Sequence, residues 1–88
     1  METRLDTFNG WQMRACVESR PESGQSRYYI VAPLSYKEFS VAEFIHPAKG
    51  RYTQASFDNA DDAFSVAFGV CRRDIMAAIK LRMVQSFN

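Results

Sequence analysis

The chain has 88 residues, with eleven Lys or Arg against ten Asp or Glu and a formal charge of +1, so it lacks the basic surplus that polyanion-binding domains show. That length implies a single domain, 1–88, and seven Phe, four Tyr and one Trp supply core material without metal or disulfide staples. No stretch approaches the ~20 apolar residues of a membrane helix, and "METRLDTFNG" has no apolar run after its charges, so no secretory leader is expected.

Residues 1–8 read as a loosely held N-terminal arm. From Trp11 the chain alternates. Trp11, Met13, Ala15 and Val17 fall on one side, and Gln12, Arg14, Cys16 and Glu18 on the other, the period of a half-buried strand over about 11–19. "RPESGQS" is a turn by composition. "RYYIVAP" is rich in β-branched and aromatic residues and predicts a second strand over about 27–33, closed by Pro33 and pairing with the first as a hairpin.

The next segment is ambiguous. Ser35 and Glu38 have capping-box spacing, which would start a short helix at Tyr36. Against this, Phe39, Val41 and Ile45 alternate with Ser40, Ala42 and Phe44, and a strand over about 39–45 is the preferred reading, although Glu43 and Phe44 break the pattern. "HPAKG" ends it as a turn, and "RYTQASF" predicts a fourth strand over about 51–57.

"DNADD" opens a long helix over about 59–85. Asp58 or Asn59 can cap it, and Asp61 and Asp62 complement the positive end of its dipole. At about 100° per residue, Ala60, Phe64, Ala67, Phe68, Cys71, Ile75, Ala78 and Ile79 form a core face. A second apolar flank, with Val66, Val70, Ala77, Leu81 and Val84, exceeds what packing on one sheet requires. Leu5 and Phe8 of the N-terminal arm could fold back over it, or a second copy of the helix could cover it. Asp74 falls inside this flank, where a bare carboxylate is costly. Arg14, Arg27, an arginine of a second subunit, or water could meet it.

The expected architecture is therefore α+β: a three- to four-stranded antiparallel sheet covered on one face by the closing helix. The "GW" at Gly10-Trp11, the "YTQASFDNADDAF" entry and "AFGVCRRDI" together resemble short uncharacterised bacterial proteins with a small β-meander and an Ala-rich closing helix. The resemblance covers most of the chain and implies this architecture but no activity.

Chemistry is sparse. Neither Cys71 nor Cys16 has an arginine six residues on, where Ala77 and Glu22 stand, so a phosphate-cradling thiolate loop is excluded. One His and two scattered Cys give no zinc set, "DNADD" lacks the spacing of a calcium loop, and the four glycines form no phosphate loop. No cofactor is expected. The two cysteines form no C-x-x-C pair, so a cytoplasmic protein with reduced thiols is the default reading.

These features point to a non-enzymatic interaction protein that contacts a protein partner and self-associates as a homodimer through Val66, Val70, Asp74, Ala77, Leu81 and Val84. Two alternatives stay open. One is a single-stranded nucleic-acid binder with Arg27, Tyr29, Arg51 and Tyr52 on one sheet face; adjacent Tyr28 and Tyr29 point to opposite faces, so only one can join it. The other is an enzyme whose composite site between segments or subunits draws on Cys16, His46, Asp74 and an arginine.

Overall fold

The computed structural model describes residues 1–47 and 51–85, and the side chains of all of these except Ala32, Pro33 and Arg51. It is an α+β arrangement, with strands β1 (Glu2–Phe8), β2 (Trp11–Glu22), β3 (Gln25–Glu38) and β4 (Ser56–Phe57), followed by helix α1 (Ala60–Gln85). The strands form one antiparallel sheet in the order β1-β2-β3-β4. A single bridge between Tyr36 and Ile45 adds to it beside β3.

The first correction concerns residues 2–8, which form a full strand instead of a loose arm. The cause is local. Asn9 and Gly10 both take positive φ, 49° and 80°, and form a two-residue loop between Phe8 and Trp11. Two successive left-handed residues match the twist of the flanking strands, which is why Asn-Gly starts hairpins. Ser23 and Gly24 repeat the device with φ of 51° and 78° between β2 and β3. Both strands of that second hairpin run further than alternation indicates, to Glu22 and from Gln25. Its tip, residues 19–26, is exposed.

Pro33 does not close β3. The pairing shifts between Arg14↔Ser35 and Cys16↔Val31, so one residue of β2 faces three of β3, Ala32 to Leu34. A bulge can host a residue with no N–H to give the ladder. The surplus of two is even, so the inside-outside parity survives: Ile30, Leu34 and Tyr36 are all buried with Met13, Ala15 and Val17.

The 39–45 segment is neither strand nor capped helix. Ser35 to Glu38 continue β3, and the chain then turns through exposed Phe39, Val41 and Ile45, leaving only the Tyr36–Ile45 bridge. The defects at Glu43 and Phe44 have a physical counterpart, since Phe44 turns back against Arg14 and Lys37. The expected fourth strand shortens to Ser56–Phe57, because Arg51–Thr53 form a 3-10 turn that inserts Tyr52 into the core. The turn expected at 46–50 lies largely outside the described residues.

Helix α1 begins where the cap allows. Of the two candidates, Asn59 serves: its Oδ1 accepts a hydrogen bond from the Asp62 N–H at 2.8 Å. One face of α1 buries Ala63, Phe64, Ala67, Phe68, Cys71 and Ile75 against β2 and β3. At about 25 cal/mol per Å² of apolar surface, each large side chain of this kind contributes roughly 1.5–3 kcal/mol. Beyond Ile75 no described helix residue is fully buried, and the molecule extends over 57 × 22 × 17 Å.

Candidate functional site

Five of the six expected interface residues lie along one flank of α1. Val66, Leu81 and Val84 are 40%, 59% and 61% exposed, Ala77 is exposed and Val70 half-buried. From Val66 to Ala77 and from Val70 to Leu81 is eleven residues, three turns with little drift, so the stripe runs nearly parallel to the axis. It runs along the flank of the helix beside the face of Phe64, Cys71 and Ile75, with Val70 at its inner margin packed against the core. Neither Leu5 nor Phe8 covers it: Leu5 is 60% exposed on the sheet's other face, and Phe8 packs at the edge of the core.

Asp74 does not belong to that stripe. It is half-buried, and the Tyr36 hydroxyl donates to its Oδ2 at 3.5 Å. Arg14 and Arg27 bond elsewhere, to Ser35 and to Ser56 and Asp58; a phenol 38 residues away meets it. Burial raises the Tyr36 pKa first, and the neighbouring carboxylate raises it further.

The sheet separates the members of the supposed Cys/His/Asp site. Cys16 lies on the outer face, its Sγ 3.2 Å from Thr3 Oγ1. His46 sits in the loop with Nδ1 2.8 Å from the Leu34 carbonyl. A carbonyl only accepts, so Nδ1 carries the proton of that bond. Asp74 is on the helix side. Cys71 is fully buried, and desolvation together with Asp74 pushes its thiol up from 9.0 to about 11, the opposite of what a nucleophile needs. Among the described residues no three His, Cys, Asp or Glu side chains gather to hold a metal ion, and no helix is long and apolar enough to cross a membrane.

The aromatic-basic face divides as well. Arg27 and Tyr29 share the outer face of β3. Tyr52 is a core residue, 9% exposed, and cannot join them; the Arg51 side chain lies outside the described set. The remaining pair is engaged locally. Arg27 bonds Asp58 and Ser56, and Tyr29 donates to Glu22 beneath the Arg20 guanidinium, which is itself paired with Glu18. These acids offset the cations a nucleic-acid backbone would need. A depression of about 200 Å³ at the start of β1 and α1, lined by Val17, Ser19, Tyr28 and Ala60 among others, is smaller than the ~300–1,000 Å³ usual for small-molecule sites.

Two features lie outside what the sequence reading captures. The Asn9-Gly10 dipeptide between alternating residues signals a hairpin, and that signal makes the arm an edge strand. The Tyr36–Asp74 contact carries no sequence signal, because it joins two elements whose register only the folded sheet fixes. No protein-family model, curated protein or solved structure matches the chain.

Proposed function

We propose that this chain is a non-enzymatic interaction protein that self-associates through the outward stripe of α1. One observation carries the reading: a 26-residue helix buries one apolar stripe in the core and carries a second along its flank, where Val66, Ala77, Leu81 and Val84 are exposed and Val70 is half-buried. Such a stripe is costly in water, and a second copy of the helix fits it in shape and charge. Asp62 in the first turn and Arg73 and Lys80 in the second half border the stripe, so antiparallel pairing brings opposite charges and opposite dipole ends together. The raised Cys71 pKa, the separated Cys16, His46 and Asp74, and the small depression support a role without catalysis. Two free cysteines suit a reducing compartment such as the cytoplasm.

The test is solution mass by sedimentation equilibrium at high micromolar concentration. Wild type should exceed the monomer mass, and Leu81→Glu or Val70→Glu should lose one step of association. Unchanged mass in both variants would overturn the reading.

A further inference from the structure

From the edge of the sheet we infer a second, separate self-recognition site: strand β1 pairs with β1 of another copy in one defined register. This site is independent of the α1 stripe. β1 is the outer strand, paired to β2 on one side alone among the described residues. Its two-residue loop makes Phe8 and Trp11 a hydrogen-bonded pair. By alternation Asp6, Arg4 and Glu2 turn their backbone groups toward β2, while Thr7, Leu5 and Thr3 turn theirs outward. The Thr7 N–H is not used by β2 and donates to Asp6 Oδ1 at 2.8 Å, a bond that pairing with a second copy exchanges.

The residues at that edge read Thr3-Arg4-Leu5-Asp6-Thr7, a run symmetric about Leu5 in shape and complementary in charge. Antiparallel pairing centred on Leu5 sets Thr3 opposite Thr7, Arg4 opposite Asp6 and Leu5 opposite its own copy. Every outward N–H and C=O between Thr3 and Thr7 then finds a partner. Opposite charges and Thr–Thr pairs facing one another are favourable across strands, and like charges are not. Moving the centre by one residue sets Arg4 on Arg4 or Asp6 on Asp6. The charges that normally protect an edge from strange strands thus admit a second copy in a single register.

The side chains are placed for it. Arg4 already spans the edge: it stacks over Phe64 at 4.2 Å and uses Nε and Nη1 on Glu2 and Asp61, so donors of its five remain for a partner's Asp6. Leu5, 60% exposed on the outer face, would be covered by its copy. Helix α1 lies mainly over β2 and β3 and meets β1 chiefly through Phe64 and Asp61 against Arg4.

The experiment is sedimentation equilibrium of the full chain and four variants. Leu5→Pro removes an N–H that points away from β2, so the β1–β2 ladder stays and edge pairing is lost. Asp6→Lys sets an introduced lysine against Arg4, and Arg4→Glu sets an introduced glutamate against Asp6; each alone should weaken association roughly tenfold or more. Mixed in equal amounts these two variants restore it. In the mixed pair the Arg4 kept by one copy meets the Asp6 kept by the other, and the introduced lysine meets the introduced glutamate. Leu81→Glu should leave this step unchanged. Wild-type mass retained in Leu5→Pro, or no recovery on mixing, overturns the inference. A chain that loses all association with Leu81→Glu alone also overturns it and leaves the α1 reading standing. Should Leu5→Pro fail to fold, the mixing experiment decides.

Discussion

Cys71 and Asn59 show how single residues set this molecule's stability. The Cys71 thiol is kept neutral by burial, with a pKa pushed to about 11 against 9.0 when exposed. The fold therefore holds its proton more tightly than the unfolded chain. This contribution is fully present below pH 9 and is lost as pH rises through about 11, with a slope of at most ~1.4 kcal/mol per pH unit. Tyr36 and Tyr52, both raised first by burial, extend the loss at still higher pH. Urea midpoints should fall between pH 8 and pH 10.5 for wild type and stay flatter for Cys71→Ala. A thiol reagent at pH 8 should label Cys16 alone in the native state and both cysteines in denaturant. At the helix start, Asn59→Ala removes the acceptor of the Asp62 N–H and should cost about 1 kcal/mol in the same urea assay.

Among the elements, glycines act in opposite senses. Gly10 sits at φ 80° in an open turn, where an added Cβ meets nothing, so Gly10→Ala should cost roughly 1–2 kcal/mol through backbone strain alone. Gly69 lies inside α1 with ordinary helical φ, and a Cβ there meets only the end of Arg72 at 3.9 Å. Gly69→Ala should thus stabilise by about 0.5–1 kcal/mol, read as a higher thermal midpoint. The legibility of elements follows the same division between local and distant causes. Helix α1 could be read because cap, dipole and periodicity are all local. β2 could be read because one face is buried along its length. The 39–45 loop could not: its apolar residues alternate like a strand, but β3 continues to Glu38 and meets it at one residue, Ile45. The candidate stripe on α1 was legible as surplus hydrophobicity, whereas Asp74 dropped out of it through its contact with Tyr36 of β3.

At the scale of the whole molecule, the two proposed self-contacts lie at different places. The stripe of α1 runs along the flank of the helix, and β1 lies in the sheet's plane. The double variant Leu5→Pro/Leu81→Glu should be a plain monomer at every concentration, and each single variant should stop at two copies. Light scattering that finds wild type no larger than two copies would contradict this pattern, because two separate contacts on each chain join more than two copies.

The bare margin of β1 then has a geometric consequence. Pairing there joins two four-stranded sheets into one of eight strands, with the two-fold axis along the sheet normal and both helices on the same surface. Pairing across the α1 stripes uses a second two-fold axis, and where that axis crosses the first at right angles the two contacts close on themselves. That arrangement leaves no β1 edge free and no stripe in water, and growth ends at four copies.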